Sequence, residues 1–277
     1  MSGDGPKGRR SGRETESVVT SLRNPRVLAA RRLLRRSERS RTGAFLVEGP
    51  IPAHEAIRAG DIEQLFVDAE APFAEEWLGR GALAVSRRVM AALSDTSTPQ
   101  GVVAVARMHT VSLSEVAGDL VVVLSEVRDP GNAGTLIRSA VAAGAGAVIF
   151  CPGSVDPFNS KTVRATAGLL FHVDVVAGVA LADAANELGD KGFRMVGADA
   201  TSTRSPEEID LVAPVAIVLG NESWGLEASA RALLDEEVGI PMPGPAESLN
   251  VGIAGSILLF EAVRQRRSGG AEHKSSS

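Results

Sequence analysis

The residues with the most chemistry to offer fall in three short clusters: Asp129-Pro130-Gly131-Asn132 followed by Arg138, then Gly220-Asn221-Glu222, then Ser248-Leu249-Asn250. Carboxylates accept hydrogen bonds, side-chain amides donate and accept, and a guanidinium presents a planar fork of donors that suits a phosphate. With a helix opening near Asn132, Arg138 lies more than one turn inside it. From there a long side chain can reach over neighbouring strand ends toward a phosphate. His54, His109, His172 and His273 are scattered without metal-ligand spacing, so no metal is expected.

Each cluster sits where an apolar run stops. The stretch 120–150 reads as a fully apolar strand, a polar loop, a helix carrying Arg138 and a second apolar strand. In 211–226, Val215, Ile217, Val218 and Leu219 form a buried strand ended by Gly220-Asn221-Glu222, with Trp224-Gly225-Leu226 opening the next helix. In 236–267, Val238, Ile240 and Met242 form a shorter strand interrupted by Pro241 and Pro243. Beyond its Pro/Gly loop an amphipathic helix runs from about Leu249 to Arg267, with Ser248 as a candidate cap. In an open α/β sheet ligands bind at the carboxyl ends of strands, so polar-ended strands of this kind imply one pocket.

The fold class follows from the same pattern. Strands over 120–125, 147–151, 171–176, 194–198, 215–220 and 237–242, apolar enough for burial on both faces, predict a mainly parallel sheet covered by helices. The Gly144-x-Gly146 pair precedes its strand and lacks a third glycine, so it reads as a helix-to-strand turn. Ahead of this unit, strands at 44–48, 62–67, 82–85 and 101–106 alternate with helices at 51–59, 73–79 and 87–93, as in a small α/β sandwich. Asn24-Pro25 launches a helix to about Arg39, with Val27, Leu28, Ala30, Leu33 and Leu34 as its buried stripe. The expected organisation is a disordered basic tail (1–16), a first domain (17–107), a linker (108–118), a second domain (119–267) and a disordered tail (268–277).

Asn132-x-Gly134-x-x-x-Arg138-x-Ala140, Leu219-Gly220-Asn221-Glu222 with Gly225, and Ile240-Pro241-Met242 with Ser248-Leu249-Asn250-Val251 together resemble the three ordered motifs of the SpoU (TrmH-like) group of SPOUT methyltransferases. The resemblance implies an S-adenosylmethionine-dependent RNA 2′-O-ribose methyltransferase whose C-terminal domain carries a deep trefoil knot. It also implies a homodimer through the C-terminal helix, with the active site completed near the partner chain. By matching position, Leu219, Gly220, Asn221, Ile240, Met242 and Leu249 are the cofactor-binding candidates, and Arg138, Asn132, Glu222, Ser248 and Asn250 the catalytic ones. A guanidinium rarely gives up its proton in proteins, so the firmer role for Arg138 is to clamp the target phosphate and stabilise a developing alkoxide. Asn132 and Asn250 suit orienting Arg138 and the ribose, and Glu222 could hold Arg138 or accept from a ribose hydroxyl. Ser223 departs from the usual Asn-Glu-Gly-x-Gly form, narrowing the loop without removing a reactive group. Phe45-Leu46-Val47-Glu48-Gly49 is similar to the opening strand of the L30e-like RNA-binding domain that many members carry in front.

Composition sets the outer bounds. The net charge of −5 argues against a nucleic-acid partner until its distribution is read. Residues 1–41 hold 12 Lys/Arg against 4 acids, while the rest of the chain holds 17 against 30. Such asymmetry marks an electrostatic footprint for a polyanion at one end. Arg31, Arg32, Arg35 and Arg36 are the RNA-binding candidates there, with Arg39 crowding the same helix surface. A single cysteine, Cys151, excludes a disulfide framework and points to a reducing cytoplasm. No apolar run reaches membrane-span length, and no apolar h-region follows the N-terminal arginines, so neither a membrane partner nor a signal peptide is expected. The two-domain layout favours ribosomal over transfer RNA as substrate. The rivals are a tRNA ribose methyltransferase and a non-catalytic RNA-binding protein on a SPOUT scaffold.

Overall fold

The computed structural model describes residues 18–272 of the 277-residue chain; the expected tail at 1–16, and residues 273–277 of the other, lie outside them. In chain order the elements are α1 (Pro25–Arg32), α2 (Arg36–Thr42), β1 (Ala44–Glu48), α3 (Pro50–Ala59), β2 (Ile62–Asp68), α4 (Ala74–Gly79), β3 (Leu83–Val85), α5 (Arg87–Leu93) and β4 (Val102–Arg107). There follow β5 (Leu120–Leu124), α6 (Pro130–Ala143), β6 (Ala147–Phe150), α7 (Ser160–Ala165), β7 (Asp174–Ala177), α8 (Leu181–Asp190), β8 (Arg194–Ala198), β9 (Val215–Leu219), α9 (Ala228–Arg231), β10 (Glu236–Val238) and α10 (Val251–Glu272). No helix among the described residues is long and apolar enough to cross a membrane.

The second sheet holds six strands in the order β10-β8-β9-β5-β6-β7, every neighbouring pair parallel. Its central strands are buried on both faces, and alternation sorts their side chains. Leu120, Val122, Leu124, Val215, Ile217 and Leu219 enter the core beneath α6 and α10. Val121, Val123, Ala216 and Val218 enter the opposite core with Leu188 of α8 and Ala230 of α9. From β5 the chain builds outward through β6 and β7, then crosses to the other side for β8, β9 and β10. The order therefore reverses between β5 and β9, the place where an open sheet leaves a crevice at its strand ends.

Local chemistry fixes the helix that borders this crevice. Asp129 caps α6, its Oδ1 accepting from Asn132 N at 2.8 Å, and Pro130 occupies the first turn. Gly144 ends the helix in the left-handed region (φ 77°), so the turn read at Gly144-x-Gly146 is as expected. Helix α10 lies against α6 through small residues. Gly252 faces Thr135, Gly255 faces Leu136 and Leu219, and Ser139 and Ser256 share a hydrogen bond of 2.7 Å.

The first sheet has the order β1-β4-β2-β3, with β4 antiparallel to both its neighbours. It is locked to the second unit by packing and by charge. The Phe45 ring lies 5.0 Å from that of Phe158 and 6.0 Å from that of Phe171. Glu48 pairs with Arg164 at 3.4 Å and Glu55 with His172 at 2.9 Å. The stretch 108–118 is pinned as well. Val111 N donates to Val175 O, and Lys191 Nζ donates to the carbonyls of Leu113, Ser114 and Val116.

Several sequence expectations need correction. The single helix to Arg39 is two, broken at Leu33–Arg35, with Leu28 and Leu34 exposed rather than in the stripe. The break lets Arg39 turn inward. Its Nη1 donates to Leu33 O and Leu34 O, and its Nη2 pairs with Asp156 at 2.6 Å, so the residue is 3% exposed instead of crowding the surface. The strand expected over 171–176 begins at Asp174, after a 3-10 turn at Leu169–His172. The strand expected to include Ile240 and Met242 stops at Val238, because Pro241 and Pro243 have no N–H to continue a ladder. Trp224-Gly225-Leu226 opens no helix: a turn closed by Asn221 and Gly225 occupies that place. Helix α10 starts at Val251 and extends to Glu272, past the expected end at Arg267.

Candidate active site

The carboxyl ends of β8, β9 and β10 and the first turn of α10 enclose a cavity of roughly 290 Å³. Strand β9 contributes Gly220 and the turn to Gly225, and the loop after β10 contributes Ile240, Met242, Ser248 and Leu249. Gly220 is there for closeness: a Cβ would meet the Gly225 and Leu226 backbone, with Leu226 N at 2.6 Å. Two reciprocal 2.9 Å hydrogen bonds between Asn221 and Gly225 close the turn, and Gly225 supplies its positive φ of 69°. Asn221 also ties the turn to the β5 loop, its Nδ2 donating to Glu126 O at 2.9 Å.

Glu222 joins the first and second clusters. Its carboxylate accepts from Asp129 N at 2.9 Å, from Arg128 N at 3.2 Å and from Asn132 Nδ2 at 3.1 Å. Burial raises its pKa, but the donors of Asp129, Asn132, its own N–H and Arg128 outweigh that and hold it below the ordinary carboxylate range. An ionised carboxylate saturated with donors is a clamp, and a poor proton acceptor near neutral pH. The third cluster closes the chain of bonds: Asn250 Nδ2 donates to Asn132 Oδ1 at 2.8 Å, while Asn250 Oδ1 caps α10 by accepting from Gly252 N and Ile253 N. The cap is thus Asn250, where the sequence pointed to Ser248. The three separated clusters form one hydrogen-bonded unit.

The candidates fall into distinct places. Gly220, Asn221, Glu222, Ile240, Met242, Ser248 and Leu249 line the cavity. Leu219 does not: it is fully buried and faces Gly255 of α10. Asn132 and Asn250 stand behind Glu222, bonded to each other and not to Arg138, and Glu222 likewise holds the Arg128–Asn132 stretch instead of Arg138. Arg138 is exposed on α6, two turns past the helix start, and outside the cavity lining. Arg31, Arg32, Arg35 and Arg36 are all exposed on the first domain. Asp199, Thr201, Arg231 and Trp224 line the cavity without having been singled out. Asp199 follows directly on β8, so the strand-end rule applied to that strand would have found it. Its carboxylate accepts from Thr201 N and Oγ1 and is ion-paired with Arg231. Among the described residues no cluster of His, Cys, Asp or Glu could hold a metal ion.

A family model described as the SpoU rRNA Methylase family matches residues 119–260, the part of the chain that builds this cavity. The chain belongs to that family. A model described as the MRM3-like substrate binding domain matches residues 24–104 of the first unit. The chain is 33% identical over 244 residues to the 23S rRNA (guanosine(2553)-2′-O)-methyltransferase RlmP of Bacillus subtilis (strain 168), an alignment spanning 87% of this chain and 97% of that one. It is 32% identical over 251 residues to the 23S rRNA (uridine(2479)-2′-O)-methyltransferase of Streptomyces viridochromogenes, covering 84% and 87%. Among solved structures, the SpoU methyltransferase AviRb from Streptomyces viridochromogenes in complex with the cofactor AdoMet superposes with a TM-score of 0.81 at 31% identity, over 89% of this chain and 99% of that one. The AdoMet-bound rRNA methyltransferase from Sinorhizobium meliloti gives 0.79 at 33%, over 90% and 97%. The α/β fold with its parallel sheet is therefore that of the SPOUT methyltransferases.

Proposed function

We propose that this SpoU family member transfers a methyl group from S-adenosylmethionine to a ribose 2′-hydroxyl of RNA, with ribosomal RNA favoured over tRNA. The observation that carries the reading is the Asn250–Asn132–Glu222 chain of hydrogen bonds, which joins the three motifs at the wall of one cavity. The two relatives named above are 23S rRNA 2′-O-methyltransferases, which supports the ribosomal substrate.

The cavity fits a sulfonium cofactor by its own chemistry. Its size is close to the lower end of small-molecule sites, about 300 Å³. Leu226, Ile240, Met242 and Leu249 give an apolar wall for a flat ring, and the backbone of Gly220, Ile240 and Leu249 offers main-chain polar groups beside it. Asn221 closes the turn at the cavity wall, and Leu219 packs beneath it against α10. Glu222 adds a carboxylate whose pKa is lowered, a negative charge suited to a cationic ligand, while the Asp199 carboxylate is balanced by Arg231. Bound there, S-adenosylmethionine supplies an electrophilic methyl group.

The protein's own residues then have a placement task, and alignment of reactants lowers a barrier by on the order of 7–11 kcal/mol. Glu222, Asn132 and Asn250 hold the loops in register. Ser248, on the cavity wall, orients the ribose. Arg138 clamps the target phosphate and stabilises the developing alkoxide. Because Arg138 lies outside its own chain's cavity, the site is completed by a second copy. Helix α10 offers the surface for this: Ile253, Ile257 and Phe260 form an exposed apolar stripe with helical spacing, on the helix that packs against α6. The exposed Arg31, Arg32, Arg35 and Arg36 grip RNA from the first domain, which we read as L30e-like from its four-stranded α/β layout.

We also infer the deep trefoil knot. Its support is the way the end of α10 is stitched to the β8–β9 connection. Gln265 Nε2 donates to Pro206 O and Ile209 O while its Oε1 accepts from Leu211 N, and Arg266 donates to Leu211 O and Ala213 O. Chains seldom thread loops, and these bonds would hold a threaded end in place. A cytoplasmic location fits the RNA substrate, and Cys151 is a buried thiol pushed up to about 12 by desolvation and so inert.

The test is calorimetry with S-adenosylmethionine, joined to methyl-labelling of ribosomal and transfer RNA from a strain lacking the gene. Binding with label in ribosomal RNA is the expected result. No cofactor binding would leave a non-catalytic scaffold, and label confined to transfer RNA would move the substrate.

A further inference from the structure

Among the described residues Trp224 is the one aromatic side chain lining the cavity, and it is 49% exposed at the turn between Asn221 and Gly225. The chain has no tyrosine and one other tryptophan, Trp77, which is buried in the first domain. A large aromatic ring left in water at a cavity mouth loses the burial that would stabilise it elsewhere. Its neighbour makes the position more specific. The Arg128 guanidinium carbon lies 4.9 Å from the Trp224 ring centroid, within cation–π range.

This stack joins the two motif loops and is itself braced. Arg128 Nη2 pairs with Glu126 at 2.8 Å, and Arg128 N donates to the Glu222 carboxylate. Glu126 is a non-glycine residue at a φ of 62°, a costly conformation that the Asn221 amide secures by holding its carbonyl. A strained residue, a salt bridge and a bond to the loop-joining carboxylate together hold one arginine over one exposed ring.

We propose that Trp224 and Arg128 form the stacking platform for the unpaired nucleobase of the nucleotide being methylated. The proposal rests on the methyl-transfer reading above. A ribose presented to the cavity brings its base within one glycosidic bond, and a base taken out of its helix is stabilised by an aromatic or guanidinium face. Among the described cavity-lining residues Trp224 alone offers an aromatic face, while the Arg231 guanidinium is engaged by Asp199 and Glu237. Arg128, held by Glu126, covers the other face of the Trp224 ring.

The test uses the full chain, in-vitro-transcribed 23S rRNA and S-adenosylmethionine. Trp224→Ala should lower kcat/KM for the RNA by roughly 5- to 150-fold, the value of one base stack. Trp224→Phe should restore most of it, and in Trp224→Ala the fall in kcat/KM for RNA should exceed any loss of affinity for S-adenosylmethionine. Independently, RNA added to the cofactor-saturated protein should quench the tryptophan emission of the wild type but not of Trp224→Phe, which retains only Trp77. Wild-type kinetics for Trp224→Ala, absence of RNA quenching, or an equal loss of cofactor affinity would overturn the platform. If RNA quenches Trp224 while the wild type transfers no methyl group, base stacking stands and the methyl-transfer reading falls.

Discussion

Replacing Gly220 by alanine should open the cofactor wall, and the size of the effect can be worked from the backbone around it. An added Cβ meets the Gly225 carbonyl group and Leu226 N, the latter at 2.6 Å, and no flexible side chain is there to give way. Overpacking of this kind costs about 1–3 kcal/mol. If the turn moves to relieve it, the two 2.9 Å hydrogen bonds between Asn221 and Gly225 go as well, about 0.5–1.5 kcal/mol each. The expected loss is about 2–6 kcal/mol in urea denaturation, with affinity for S-adenosylmethionine at least about tenfold lower by calorimetry. Gly225→Ala is the control. It has open space but a φ of 69°, so it should cost only the left-handed penalty of about 1–2 kcal/mol. Wild-type stability and wild-type affinity in Gly220→Ala would refute the close-approach argument.

Other perturbations test other parts. Arg138→Ala should abolish transfer to RNA with cofactor affinity near wild type; loss of folding instead would make the residue structural. Arg39→Ala leaves the largely buried Asp156 without its partner and should cost about 3 kcal/mol in urea, a loss below about 1 kcal/mol contradicting the ion pair's role. Changing Arg31, Arg32, Arg35 and Arg36 together to Gln should weaken RNA binding and flatten its salt slope by up to about 3, and an unchanged slope would remove them from the interface. The Glu222 carboxyl titrates below its ordinary value of 4.5, so its contribution is complete above that value and is lost as pH falls through the folded one. Glu222→Gln should therefore cost about 1 kcal/mol at pH 7, a modest figure for an exposed group, and progressively less as pH falls below 4.5. A gap that persists in acid would show that the charge is not the cause.

Much of this site can be read from the sequence because the motifs stop where apolar strands stop. Val215 to Leu219 had to be a buried strand, and Gly220-Asn221-Glu222 therefore had to lie at its carboxyl end. What the sequence could not supply was the direction of long side chains. Arg39 resembled its neighbours until the break after α1 turned it toward Asp156, a residue 117 positions away. Glu222 had several donors within plausible reach, and only the fold shows that Asp129 N and Asn132 take it while Arg138 faces outward. Ile240 and Met242 alternate like a strand, yet the flanking prolines deny them a ladder and leave them as cavity wall. Trp224 read as the start of a helix because the Asn221–Gly225 turn is closed by backbone bonds that composition does not encode.

The most direct measurement is the chemical position of the transferred group. After incubation of the protein with methyl-labelled S-adenosylmethionine and unmodified 23S rRNA, alkaline hydrolysis cleaves every linkage whose 2′-hydroxyl is free. A ribose 2′-O-methyltransferase leaves the label in alkali-resistant dinucleotides. Label released in mononucleotides would place the methyl group on a base and contradict the account.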